Sequence, residues 1–231
     1  MTIGIMQPYF MPYIGYWQLI NAVDKFILYD NIQYTKKGWI NRNRVLNNSK
    51  DVFITLPLEK DSDYLNVVDR KISKEFDKNK FVNQISEYYR KAPNFSNGIE
   101  LFKSIMQFEN KNLFEFIYNS VIKICDYLEI KTPIIISSNL EINHCLKGKE
   151  KVFEICKLCK AEIYINPIGG VELYDKNEFK QNNIELKLIQ TEIVEYTQFG
   201  NSFIPYLSII DVIMFNNKEQ IKEMMIKYKT I

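Results

Sequence analysis

The first thirty residues constrain the fold of this chain more than any other stretch. Thr2 to Met6 is a short apolar run ended by Gln7-Pro8, and Lys25-Phe-Ile-Leu-Tyr-Asp30 is a second. Both are apolar at consecutive positions, as in strands buried on both faces. Between them Tyr13, Tyr16, Trp17, Ile20 and Val23 recur at helical spacing, and Pro12 is tolerated in a first helical turn. Strand, helix and strand in so short a span predict a β-α-β unit, the start of a mostly parallel sheet in an α/β fold. Ligands of such sheets collect outside the carboxyl ends of the strands. Here those ends are expected to present Gln7 and Asp30 side by side.

Beyond this unit, Asn31 to Asn48 has neither a helical nor a strand period and reads as a long loop or irregular hairpin. Asp51 to Pro57 alternates as a strand, with a partner strand expected at Val67 to Ile72. Helices are expected at Lys78 to Lys91 and at Asn110 to Glu129, where Leu113, Ile117, Val121, Ile124 and Leu128 form one stripe. Alternation then resumes: a strand from Thr132, a helix over Lys149 to Lys160, and strands at Glu162 to Asn166 and Ile184 to Ile189. Ser208-Ile-Ile-Asp211 and Asn217-Lys-Glu-Gln220 read as capping boxes opening two final helices. With no repeat or linker, residues 1–231 are expected to form one α/β domain with a helical insert at about 74–131.

Charge decides what the molecule as a whole attracts. Thirty basic and 28 acidic side chains leave a net charge of +2, so no overall field recruits nucleic acid or a membrane surface. No run approaches the ~20 apolar residues of a membrane span, and the start is too soon broken by Pro8 for a signal peptide. A cytoplasmic protein is expected, with Cys125, Cys145, Cys156 and Cys159 as reduced thiols. His144-Cys145 and Cys156-x-x-Cys159 superficially supply four metal ligands, but Cys156 and Cys159 share an apolar helix face with Val152 and Ile155. A core role is the better reading, and no metal and no cofactor are expected. The phosphate-loop, dinucleotide, zinc-protease and nucleophile-elbow motifs are absent.

Two stretches carry the chemistry. Asn31 to Lys50 holds Lys36, Lys37, Arg42, Arg44 and Lys50 and no carboxylate, interleaved with Tyr34, Trp39, Asn41 and Asn43. Guanidinium forks beside stacking surfaces and amides suit a diphosphate on a nucleotide-linked ligand. A solvated hairpin with a structural Trp has the same composition. So does a single-strand nucleic-acid surface, which the balanced overall charge disfavours. Gln7 to Trp17 packs two prolines and four Tyr or Trp residues into eleven positions. Such a stiff loop, with Gln7, Tyr9 and Tyr13 as polar tips, suits a small-molecule pocket or a loop packed into the core. Asn166-Pro-Ile-Gly169-Gly170 brings backbone N–H groups toward a ligand or forms an ordinary turn.

The run from Ile5-Met6-Gln7-Pro8-Tyr9-Phe10-Met11-Pro12-Tyr13 to Gly38-Trp39-Ile40-Asn41-Arg42-Asn43-Arg44, with Tyr164 to Tyr174 and Tyr206-Leu-Ser-Ile-Ile-Asp211, resembles the WbqC-like family of bacterial proteins. The match spans essentially the whole chain, and its opening motif is the distinctive part. The resemblance implies a role in making O-antigen, the lipopolysaccharide surface chain, or another surface polysaccharide, alongside enzymes for unusual deoxy and amino sugars. The reaction it suggests is transfer of an amino-acid-derived acyl group, such as glycyl, from an unidentified donor to a nucleotide-linked amino sugar. In that setting Arg42, Arg44 and Lys37 would hold the diphosphate, and Trp39 or Tyr9 would stack on base or sugar. Gln7 and Asn41 would orient hydroxyls. Asp30 would act as general base, with Asp211 second; capping or bridging of nearby lysines is the plain role for Asp30. A non-catalytic nucleotide-sugar or glycan-precursor binding protein is the alternative, and a glycosyltransferase comes third.

Overall fold

The structure, a computed structural model, describes residues 1–200 and 202–231. Among these, β1 (Thr2–Met6), β2 (Lys25–Leu28), β5 (Ile134–Ile136), β6 (Ile163–Pro167), β7 (Glu185–Thr191) and β8 (Tyr228–Thr230) form one sheet in the order β5-β2-β1-β6-β7-β8. All neighbours pair in parallel except β7 with β8. The expected mostly parallel α/β sheet is therefore the observed one. It grows from β1 through β2 to β5 in one direction, and from β6 through β7 to β8 in the other. The chain changes direction between β1 and β6, and a crevice opens at that point in such sheets.

Side chains alternate across the strands, and each face has its own core. Ile3, Ile5 and Ile27 pack with Val152, Ile155 and Cys156 of α5 (Gly148–Leu158) and Phe179 of α6 (Lys176–Gln181). Phe26, Leu28, Ile165 and Ile189 face the other way. There they meet α1 (Ile14–Asn21), α7 (Ile209–Phe215) and α8 (Lys218–Met225), and the helices α2 (Lys78–Tyr89), α3 (Phe95–Met106) and α4 (Leu113–Leu128) join the same apolar cluster. Each fully buried Leu, Ile or Phe in these cores contributes about 1.5–3 kcal/mol. Helix α1 is buried at every position from Gly15 to Ile20, rather than along one stripe, because it lies between the sheet and α8.

Two expectations fail here. The partner of β4 (Lys50–Thr55) is β3 (Arg42–Asn47), paired antiparallel from Arg42↔Thr55 to Asn47↔Lys50. Asn48 and Ser49 turn the chain with φ of 47° and 62°, the left-handed geometry of a two-residue hairpin. Val67–Asp69 instead forms a short 3₁₀ turn. Ser208 caps α7 through Ile210 N–H, but Asp211 does not complete the box; its carboxylate is drawn elsewhere. The second box is present, with Asn217 and Gln220 exchanging both hydrogen bonds.

Candidate functional site

A cleft of about 340 Å³ opens at the carboxyl ends of β1, β6 and β7, where the sheet changes direction. Met6, Pro167, Ile189 and Thr191 come from those strands; Tyr9, Pro12, Tyr13, Gly15 and Tyr16 come from the β1–α1 loop and the start of α1. Trp39, Asn43, Arg44 and Tyr206 close the other side. The expected choice between a pocket loop and a packed loop resolves residue by residue. Phe10, Met11 and Trp17 are fully buried, whereas Tyr9, Tyr13 and Tyr16 line the cleft.

The loop is held from several sides. Asn43 Nδ2 donates to Phe10 O (3.0 Å) and Met11 O (2.9 Å), while its Oδ1 accepts from Arg44 N–H (2.8 Å). Ser208 Oγ donates to Met11 O (2.7 Å), and Trp17 Nε1 donates to Pro12 O (3.0 Å). Met11 thus holds a φ of 46°, a left-handed conformation that a non-glycine residue keeps only where its surroundings impose it. Gly15 is required by space, since a Cβ there would lie 2.4 Å from Thr191 Oγ1 and 2.5 Å from the Tyr13 ring.

Aromatic rings form the walls. Tyr13 meets Tyr206 edge-on at 5.8 Å and Tyr9 lies 5.8 Å from Tyr16. Burial raises the Tyr9 hydroxyl above its ordinary value; it raises that of Tyr16 much further, with Tyr9 and Cys125 adding to the effect. Tyr16 donates to Gln7 O (2.9 Å). Among the described residues the one cation on the wall is Arg44, whose Nη1 pairs with Asp51 at 3.0 Å and whose Nη2 donates to Tyr206 O at 3.3 Å. Its Nε–H is buried and has no acceptor among the described residues.

Of the residues expected at the site, Tyr9, Tyr13, Trp39 and Arg44 meet in this cleft and the others do not line it. Asn41 is buried in the fold, accepting from Tyr34 Oη (2.9 Å) and donating to Leu56 O (2.8 Å). Arg42 turns back on its own loop, donating to Gly38 O (3.1 Å) and Lys37 O. Lys37 is exposed, and Gln7 contributes its carbonyl to the Tyr16 bond. The acid-free segment is partly neutralised from outside, Lys36 by Asp63 and Arg44 by Asp51. Gly169 and Gly170 lie in a 3₁₀ segment, Ile168–Leu173, without positive φ. Gly170 is a close-approach glycine, because a Cβ would meet Asn166 Nδ2 at 2.2 Å; Gly169 faces open space. Asn43, named among the amides of the basic segment, and Tyr206, named in the family motif, also line the wall, as does Thr191, which the sequence did not single out.

Asp30 stands at the end of β2, fully buried. Its Oδ1 accepts from Ser137 Oγ (2.8 Å) and Ser138 N–H (2.9 Å), and Oδ2 has no partner among the described residues. Beside it the buried Lys151 donates to Asn31 Oδ1 (2.9 Å) and lies over the Tyr29 ring. Burial lowers the Lys151 ammonium, with Asp30 working in the opposite direction. Asp30 is thus tied into the β2–β5 edge rather than into the cleft. Asp211 is also fully buried; it accepts from Tyr89 Oη (2.6 Å), Tyr196 Oη (2.7 Å) and Gln198 Nε2 (2.9 Å). This is where the carboxylate expected in a capping box is used. Burial raises its carboxyl, while the three donors pull it down.

A D-x-D acidic triplet, expected to be absent and on that ground to lower the glycosyltransferase reading, is present as Asp61-Ser62-Asp63. Asp61 accepts from Ser62 N–H at 2.7 Å, Asp63 pairs with Lys36 at 2.7 Å, and neither lines the cleft. Among the described residues no group of three His, Cys, Asp or Glu could hold a metal ion. Cys156 is in the core as expected, its thiol pushed by burial up to about 12. No helix among the described residues is long and apolar enough to cross a membrane.

Fold and cleft together define a mostly parallel α/β protein with an aromatic cleft at the switch point of its sheet, in which Arg44 is the one cation among the described residues. The chain belongs to the WbqC-like protein family, whose model matches residues 7–223. It is similar to an uncharacterised protein of Mycobacterium tuberculosis, Rv1507c, with 28% identity over 218 residues, 93% of each chain. No solved structure matches it.

Proposed function

We propose that this protein is a transferase of surface-polysaccharide biosynthesis that binds a nucleotide-linked deoxy-amino sugar in the cleft and modifies it by N-acyl transfer. The reading is supported above all by the composition and place of the cleft. Tyrosine and tryptophan rings line the cleft and suit a sugar or base, and the Arg44 guanidinium on the same wall suits a phosphate oxygen. The site lies where doubly wound sheets hold nucleotide-linked ligands. Family membership supports the polysaccharide setting. Because Asp30 and Asp211 lie outside the cleft, the reading rests on binding and orientation and assigns neither of them as base.

One observation favours a second reading. Among the described residues the titratable groups of the cleft are tyrosines and one arginine, so these supply no carboxylate or imidazole to take a proton. A non-catalytic nucleotide-sugar binding protein needs none. Turnover separates the two: the protein is incubated with nucleotide-linked amino sugars and either aminoacyl or thioester donors, and sugar products are weighed by mass spectrometry. A mass gain equal to one acyl group supports the transferase; binding with no product from any donor overturns it.

A further inference from the structure

The cleft is one end of a longer surface. Trp39 on its wall stacks on Phe53 of β4, with 6.2 Å between ring centroids and 27° between planes. Arg44 lies over the Trp39 ring at 5.9 Å and Arg42 over the Phe53 ring at 4.5 Å. Arg44 and Phe53 are direct cross-strand partners, and Arg42 is two residues from Arg44 on the same face of the hairpin. Guanidinium, ring, ring and guanidinium therefore follow one another from the cleft mouth outward.

This row is exposed and fixed. Trp39, in the loop before β3, is 40% exposed, and Phe53 is 51% exposed on a strand face where a polar residue is ordinarily found. Arg42 is anchored from behind by the carbonyls of Gly38 and Lys37, so its guanidinium plane is set over Phe53 before any ligand arrives. Among the described residues of this face, two guanidiniums against the carboxylate of Asp51 leave it net positive. At about 340 Å³, the cleft is near the lower end of the ~300–1,000 Å³ usual for small-molecule sites. A sugar and its adjacent phosphate fill it, and the rest of a larger ligand has to lie beyond the mouth.

We propose that Phe53, with Trp39 and the anchored Arg42, forms the subsite for the nucleobase of a nucleoside diphosphate sugar whose sugar occupies the cleft. The proposal rests on the nucleotide-sugar reading and adds to it the residue that meets the base. Arg44 lies between the two ends, where the diphosphate passes. Arg42 then serves as a stacking surface, not as the phosphate clamp expected from the sequence. Stacking on an exposed ring tolerates any base, so this subsite contributes affinity more than choice of base.

The test is calorimetric titration of wild type, Phe53→Ala and Phe53→Trp with uridine and thymidine diphosphate sugars, the free nucleoside diphosphates and the matching sugar 1-phosphates. Phe53→Ala should weaken both nucleotide-bearing classes by about tenfold, the usual worth of one base–aromatic stack. Sugar 1-phosphate binding should stay within about twofold, and Phe53→Trp should restore the nucleotide affinity. An unchanged thermal midpoint shows that the exposed position left the fold intact. Undiminished nucleotide-sugar binding by Phe53→Ala overturns the subsite and leaves the function reading standing. Equal weakening of sugar 1-phosphates also overturns it. Wild type that binds no nucleotide sugar overturns the function reading itself. A short single-stranded oligonucleotide that binds more tightly than every nucleotide sugar, and is lost in Phe53→Ala, makes the row a nucleic-acid platform instead.

Discussion

Replacing Asp211 by Asn distinguishes a structural carboxylate from a catalytic one. Asp211 joins α7 to α2 through Tyr89 and to the 196–198 segment through Tyr196 and Gln198; Tyr89 Oη also accepts from Leu46 N–H of β3 (2.8 Å). An asparagine offers one oxygen in place of two. The less damaging orientation keeps that oxygen toward Tyr196 and Gln198 and turns the NH₂ toward Tyr89. The Tyr89 hydroxyl, already accepting from Leu46, then has no acceptor for its own proton. A buried donor left open costs about 1–3 kcal/mol. At about 2–4 °C per kcal/mol for a chain of this size, the melting temperature should fall by roughly 2–12 °C. Asp211→Ala opens all three donors and should cost more. The pH dependence has a definite sign. Because burial raises the folded-state value above the ordinary 3.8, the native state holds the proton more tightly than the unfolded chain. Stability from this group is therefore greatest below the ordinary value and is lost as pH rises through the folded one. Asparagine has no such loss, so its penalty should be larger at pH 4 than at pH 7. Thermal and urea unfolding at both pH values provide the check. An Asp211→Asn protein with wild-type stability and abolished turnover would refute the structural assignment.

The other perturbations bear on the cleft and its borders. Asn43→Ala should destabilise by about 1–3 kcal/mol in urea unfolding, since Arg44 N–H loses its acceptor and two loop carbonyls lose their donor; unchanged stability would mean the loop is not held this way. Gly15→Ala gains up to ~1 kcal/mol of helix propensity but must displace Thr191 and Tyr13, at a cost of about 1–3 kcal/mol. It should weaken ligand binding more than it lowers the melting temperature, and intact binding would count against Tyr13 and Thr191 as walls. Asp30→Asn should destabilise by about 1–3 kcal/mol in urea unfolding, because its oxygen can keep both serine contacts but the NH₂ takes a buried position with no partner among the described residues and the charge that offsets burial of Lys151 is lost. If it retains the fold but loses all turnover, Asp30 belongs to the chemistry after all.

What was legible in the sequence follows from where each side chain's partners lie. The β1-α1-β2 unit was readable because its apolar residues repeat at strand and helix periods. Strand β3 was not, because inward-facing Asn43 is polar; it is buried to bind the carbonyls of residues 10 and 11. Helix α3 was missed although Ile99, Phe102, Ile105 and Met106 follow a helical period. Gly98 reads as a breaker, yet it is there to admit Met214, whose Sδ would lie 2.6 Å from an added Cβ. Strand β8 has three residues and exists only through its pairing with β7. Of the residues picked out by local composition, Tyr9, Tyr13, Trp39 and Arg44 line the cleft. Asp211 was misread as a helix cap because its partners are 122, 15 and 13 residues away in the chain.

Binding of a nucleotide-linked sugar in the cleft at the carboxyl ends of β1, β6 and β7, through its rings and Arg44, is what the proposed function most depends on. The direct measurement is the dissociation constant of a nucleoside diphosphate sugar for wild type and for Arg44→Ala, taken by calorimetry at fixed salt. Loss of a charge-assisted hydrogen-bond donor to phosphate, worth about 1.5–3 kcal/mol, predicts at least about tenfold weaker binding by the variant. Equal affinity in the two proteins, or no binding by wild type, would contradict the account.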